Sequence, residues 1–224
     1  MENIIDLKDL SWFKEYLKTR NSDMISTGYR TINSYIGGYQ PGTVILIGGR
    51  PGTGKTTFMQ NLLNEVRGYR SLVFSTETSK ERFIEKFISL AYLISYRDIR
   101  ENPKILNGKL DTMLSDLLSY NMLICDTPRP TVSGIEEAVI MHKPRFLFID
   151  YFQNIHVDNY DKVSSYARNI SEIERIAKNN NLTVILISQL KRLSSESTGI
   201  PELDDFKETG KLEEVAHVAM LLYQ

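Results

Sequence analysis

The chain has 224 residues, 42% hydrophobic and 25% charged, with a net charge of −1. That length suits one domain with a full core, and the near-neutral balance excludes a strongly basic nucleic-acid coat or an acidic solvating tail while leaving room for a few local cations on DNA. The single cysteine, Cys125, excludes an intrachain disulfide and a cysteine-based zinc site, fits a reducing cytoplasmic setting, and reads as a small buried hydrophobe. No apolar run approaches about 18 residues and MENIIDLKDL has no basic leader, so neither a membrane span nor a signal peptide is expected.

In chain order, the first predicted element is a helix over residues 7–20. Leu7, Leu10, Phe13 and Leu17 recur there at helical spacing, with Trp12 and Tyr16 widening the apolar face. Asn21, Ser22 and Asp23 break the pattern, so residues 1–22 read as a linker helix ahead of a domain over 23–224. That helix docks either on its own domain or on a neighbouring subunit; apolar patterning does not name which.

From residue 43 onward, short apolar runs alternate with helical ones. TVILI (43–47), SLVFS (71–75), MLIC (122–125), FLFID (146–150), TVILIS (183–188) and VAMLLY (218–223) suit strands covered on both faces, as in a parallel sheet. Residues 55–67 place Phe58, Met59, Leu62, Leu63 and Val66 on one helix face; residues 164–178 do the same with Tyr166, Ile170, Ile173, Ile176 and Ala177. Lys80, Glu81, Arg82, Glu85 and Lys86 read as a solvated helix face with i,i+4 pairing. The alternation argues for an α/β fold with right-handed crossovers, in which ligands bind beyond the carboxyl ends of the strands.

Residues 48–58 read GGRPGTGKTTF, and Gly49, Arg50, Pro51, Gly52, Thr53, Gly54, Lys55 and Thr56 fill G-x-x-x-x-G-K-[ST]. Glycines let backbone N–H groups close on phosphate oxygens, Lys55 brings a compact charge to the β and γ phosphates, and the Thr56 hydroxyl suits Mg²⁺. The helix that follows turns its N-terminal dipole to the anion. These residues, with Thr57, are the expected ATP contacts. Asp150 ends FLFID at the carboxyl edge, where a carboxylate holds Mg²⁺ in preference to capping a turn. Glu77 follows SLVFS; past a strand next to the phosphate-loop strand it would polarise the attacking water, or else simply start a helix. Gln189 follows TVILIS and either contacts the γ-phosphate or is an ordinary loop residue. His142, His156 and His217 are scattered without ligand spacing and read as structural.

These pieces stand in the order of one family. STGYRTINSYIGGYQPGTVILIGGRPGTGKTT, the STET segment, DYFQNI, ISQLKR and PELDDFKETGKLEEVAHVAMLLY span residues 26 to 223. Together they resemble the RecA-like C-terminal ATPase domain of DnaB-type hexameric replicative helicases. The resemblance implies a RecA-like P-loop NTPase whose mainly parallel sheet is flanked by helices, with Mg²⁺ as cofactor and ATP, single-stranded DNA and further copies of the chain as partners. It implies that Lys55 and Thr56 are the P-loop lysine and magnesium-ligating hydroxyl. By the same resemblance Glu77 is the catalytic glutamate, Asp150 the Walker B carboxylate and Gln189 the γ-phosphate sensor. The region after Gln189 would face single-stranded DNA in a central channel, and residues 7–20 would match the linker helix that docks on the adjacent subunit.

Residues 191–211 hold four cations against five acids, so Lys191 and Arg192 are DNA-contact candidates beside the plain reading as a solvated loop pair. The family's N-terminal domain, which binds partners such as primase, has no counterpart here, and relatives continue past the strand that ends near Gln224 into a basic finger. The expectation is therefore a fragment or truncated paralogue that binds nucleotide and hydrolyses it poorly alone. Two other readings stay open: another RecA-type ATPase of the recombination-accessory or circadian-clock branches, and a nucleotide-binding assembly module.

Overall fold

The computed structural model describes residues 11–19, 24–157, 161–191, 199–206 and 210–223. Leu7, Leu10, residues 20–23 and the DNA-contact candidate Arg192 lie outside them. Among the described residues six strands form one sheet: β1 (Val44–Gly49), β2 (Ser71–Ser75), β3 (Met122–Cys125), β4 (Phe146–Asp150), β5 (Thr183–Gln189) and β6 (Val218–Leu222), in the spatial order β3-β2-β4-β5-β1-β6. Every pair is parallel.

The alternation of side chains along each strand gives the sheet two apolar faces. Ile45, Ile47, Val73, Phe146, Phe148, Ile185 and Ile187 pack on one side with α3 (Lys55–Glu65) and α4 (Lys80–Ala91), through Met59, Leu62, Leu63, Phe83 and Phe87. On the other side Val44, Leu46, Leu147, Ile149, Val184 and Leu186 meet α7 (Val132–His142), α8 (Lys162–Asn179) and α9 (Lys211–Val215). Two buried layers explain why the four central strands are apolar at nearly every position. The remaining helices are α1 (Ser11–Thr19), α2 (Arg30–Ile36), α5 (Tyr96–Glu101) and α6 (Leu110–Leu117); α4, α5 and α6 share a satellite cluster around Ile88, Ile99 and Met113.

Several sequence expectations are corrected. The edge strands β3 and β6 are only partly covered, with Ala219 exposed. Cys125 therefore sits half-buried on an edge strand, packed against the core but not fully inside it, its Sγ 3.3 Å from Thr127 Oγ1. The helix predicted over 55–67 ends at Glu65, and the one over 164–178 starts at Lys162, where Asp161 caps it by accepting from the Ser164 N–H at 3.1 Å. The charged run 80–86 is not one solvated face: Glu85 and Lys86 are half-buried, and none of the ion pairs among the described residues involves it. His217 locks the sheet margin, its Nδ1 accepting from the Val44 N–H at 3.2 Å.

The register sets the functional edge. Gly49 pairs with Gln189 and Ser75 with Asp150, so β1, β2, β4 and β5 all end along one carboxyl rim. β5 lies between β1 and β4, which opens the rim into a crevice there.

Candidate active site

The loop after β1 is shaped by two glycines in the left-handed region, Gly52 (φ 85°) and Gly54 (φ 83°), the latter capping α3. Gly49 leaves no room for a side chain: a Cβ would stand 2.5 Å from Thr53 Oγ1 and 3.0 Å from Lys55 Cγ. Within the loop the Arg50 carbonyl accepts from Thr53 Oγ1 and from Lys55 Nζ, both at 2.8 Å. An ammonium has three donors, so Lys55 keeps others for a phosphate.

Pro51, Gly52, Gly54, Lys55, Thr56 and Thr57 line a cavity of about 340 Å³ from the loop side. Glu77, Thr78, Asp150, Tyr151, Gln189 and Lys86 line it from the strand ends and from α4. A cavity of that volume lies within the range of small-molecule sites. The residues Lys55, Thr56, Glu77, Asp150 and Gln189, far apart in sequence, thus meet in one place.

Arg50 and Thr53 turn elsewhere: Thr53 braces the loop, and the Arg50 guanidinium reaches Lys191 O, Gly199 O and Asp205 Oδ2 at 3.3, 2.9 and 3.2 Å. Glu77 does not follow a strand next to the phosphate-loop strand, because β4 and β5 separate β2 from β1. It reaches the cavity because β2 pairs with β4, and its loop passes over the end of the strand that carries Asp150. Lys191 lies outside the cavity, exposed, with its ammonium donating to the Asp204 carbonyl at 2.7 Å.

Thr56 Oγ1 donates to Asp150 Oδ2 at 2.7 Å, and Asp150 is 3% exposed. Burial pushes the Asp150 carboxyl up from 3.8 to about 6, against the Thr56 hydrogen bond that favours the ionised form; Glu77 adds to the rise, and Lys55 and Lys86 oppose it. Burial likewise lowers the Lys55 ammonium, partly offset by Asp150 and Glu77. Both groups are thus held at a desolvation cost, which anionic phosphate and a cation would relieve. A buried carboxylate beside a hydroxyl is the hard-oxygen donor set that suits Mg²⁺, which takes its remaining ligands from water and phosphate. Among the described residues no cluster of three or more His, Cys, Asp or Glu side chains offers a different metal site.

Sequence reasoning missed two contributors. Lys86, three residues after the buried Phe83 on α4, lines the cavity, and its charge acts on Asp150. Gln153, in the 3-10 turn Phe152–Asn154, substitutes for a strand. β4–β5 pairing stops at Ile149↔Leu186, and beyond it the Gln153 amide accepts from Gln189 N (3.2 Å) and donates to Gln189 O (3.3 Å) and Ser188 Oγ (2.9 Å). Its neighbour Asn154 donates to Thr76 O at 3.3 Å, one residue before Glu77. One short turn therefore steadies both Glu77 and Gln189.

The family model for the DnaB-like helicase C terminal domain matches residues 24–224. The chain belongs to that family. A probable replicative DNA helicase of Trieres chinensis is 32% identical, the match covering 89% of this chain and 47% of that protein. The replicative DNA helicase DnaB of Rickettsia typhi is 30% identical, with 89% and 45% covered. The chain spans about half the length of the curated relatives it matches. Among solved structures, a DnaB-like replicative helicase described with its interactions with primase superposes with a TM-score of 0.85 at 21% identity, covering all of this chain and 57% of that one. A second solved structure, described as an ATPase domain, gives 0.85 at 22% identity, covering 98% and 84%. At such identities the superpositions speak for the fold, which is that of the RecA-like ATPase domains.

Proposed function

We propose that this chain is the ATPase motor domain of a replicative DNA helicase, a cytoplasmic enzyme that hydrolyses ATP and couples the hydrolysis to movement along single-stranded DNA. The observation that carries this reading is the convergence of Lys55, Thr56, Glu77, Asp150 and Gln189 on one cavity at the sheet's carboxyl rim. The phosphate-loop N–H groups and Lys55 bind the β and γ phosphates. Glu77 takes a proton from a water whose oxygen attacks the γ-phosphorus in line. The bond from γ-phosphorus to the bridging oxygen breaks, and its electron pair leaves on ADP. Thr56 and Asp150 are the residues that would hold Mg²⁺, which supplies charge neutralisation on the phosphate oxygens. Gln189, at the end of β5, senses the γ-phosphate and passes its loss to the segment that begins at Leu190.

Family membership supports assembly into a homo-oligomer, a hexameric ring in the full-length protein, with α1 docking on the adjacent subunit. Phe13, Tyr16 and Leu17 on α1 are exposed, as such a contact requires. DNA binding rests on loops converging in the ring, with Lys191 and Arg192 as candidates. The test is ATP turnover with and without single-stranded DNA, alongside mass in solution. Turnover that rises with DNA and disappears in Lys55→Ala is the expected result; turnover indifferent to DNA in an assembled oligomer would remove the motor reading.

A further inference from the structure

Arg50 occupies a variable position of the phosphate loop, yet its side chain leaves that loop. Its guanidinium spends three of its donors on one neighbouring segment, the Lys191 carbonyl, the Gly199 carbonyl and the Asp205 carboxylate. The pair is substantially buried, with side-chain exposures of 14% for Arg50 and 29% for Asp205, so it is less screened than a surface ion pair. The backbone of the same residue is bound by the phosphate lysine, because Lys55 Nζ donates to the Arg50 carbonyl. One residue thus touches the phosphate-binding ammonium through its carbonyl and the 199–206 segment through its side chain.

That segment is docked on β1 and β5 by contacts that reinforce the link. Leu190 and Phe206 form an antiparallel bridge, and the Lys191 N–H donates to the Asp205 carbonyl at 2.7 Å. The Leu190 N–H donates to the Gly49 carbonyl, at the root of the phosphate loop. Phe206 lies against Gly48, where an added Cβ would stand 2.7 Å from its ring. Lys191, whose carbonyl Arg50 holds, is also a DNA-contact candidate.

We propose that Arg50 is a positioning residue that ties the phosphate loop to Lys191 and the 199–206 segment, so that a phosphate held by Lys55 sets where that segment sits. This is a second route beside Gln189. It rests on nucleotide binding at the phosphate loop and does not require DNA.

The test is hydrogen–deuterium exchange at the Lys191, Asp205 and Phe206 amides of the 224-residue chain, with and without a non-hydrolysable ATP analogue and Mg²⁺. The analogue is added to saturation of each variant, with binding followed separately by fluorescence. In the wild type the analogue should change exchange at these amides by about threefold or more, a shift well inside what local opening equilibria span. Arg50→Ala should abolish that change; Asp205→Ala, which leaves the two carbonyl contacts and also removes the acceptor of the Glu202 N–H, should reduce it, and the double variant should lose no more than Arg50→Ala alone. Arg50→Lys, which keeps the charge but not the fork of donors, should retain only part of it and guards against a fold defect in the alanine variants. An Arg50→Ala chain whose exchange rises overall but keeps the nucleotide-dependent difference would show that Arg50 merely holds the segment, and would overturn the link. Loss of analogue binding in Arg50→Ala with the response intact in Asp205→Ala would overturn it too, by placing the guanidinium on phosphate. A wild-type chain that binds no analogue overturns the nucleotide reading itself, and the link with it.

Discussion

The buried Asp150 carboxylate should make the protein less stable, and replacing it by asparagine exposes that cost. Its carboxyl is 3% exposed and is pushed up from 3.8 to about 6, chiefly by burial. A raised acid pKa means that the folded state holds the proton more tightly than the unfolded one. Between pH 3.8 and about 6 the native state binds more protons, so stability falls as pH rises through that window and levels off above it. At 1.36 kcal/mol per pH unit the full penalty is about 3 kcal/mol at pH 8. An asparagine amide at this position would keep an oxygen for the Thr56 hydroxyl without the charge. Asp150→Asn should therefore match the wild type below pH 4 and exceed it by about 3 kcal/mol at pH 8, roughly 6–12 °C in melting temperature for a chain of this size. The assay is urea denaturation of both proteins at pH 4 and pH 8 without nucleotide or Mg²⁺; other carboxylates titrate in both and cancel in the difference. The same variant should lose Mg²⁺-dependent ATP hydrolysis. A variant less stable than wild type at pH 8, or a difference that does not change with pH, would refute the reasoning.

Two further substitutions probe the residues that sequence reasoning passed over. Lys86→Ala removes a cation that lines the cavity and acts on Asp150, and kcat/KM for ATP should fall roughly tenfold in steady-state assays; an unchanged value would return Lys86 to the solvated face. Gln153→Leu keeps the volume but leaves the Gln189 N–H and C=O without the amide that pairs them. Unfolding should cost about 1–3 kcal/mol less, and kcat should fall more than KM rises; a pure KM effect would separate Gln153 from sensor placement.

The layout of sheet and helices was largely legible because it rests on apolar periodicity, which local sequence carries. FLFID and TVILIS are apolar throughout since β4 and β5 are covered on both faces, and α8 shows Ile170, Ile173 and Ile176 on one stripe. Position within the sheet was not legible. MLIC and VAMLLY look like the central runs, yet they form edges, which is why Cys125 is only half-buried. The phosphate loop announced itself through glycine spacing, because backbone N–H geometry demands those residues. Arg50 showed the limit of that logic: its motif position says phosphate, while its side chain follows a contact partner 155 positions away. Lys86 and Gln153 likewise act through tertiary neighbours, and no local spacing reports where β2, β4 and β5 end relative to one another.

The most direct measurement compares wild type and Glu77→Gln in nucleotide binding and in ATP turnover on the same oligomer, with Mg²⁺ and single-stranded DNA present. Glu77 lines the cavity opposite the loop that carries Lys55, so the variant should bind ATP as the wild type does while turnover falls by about 10²-fold or more. Equal turnover in the two proteins would contradict an ATP-hydrolysing site built from Lys55, Thr56, Glu77, Asp150 and Gln189.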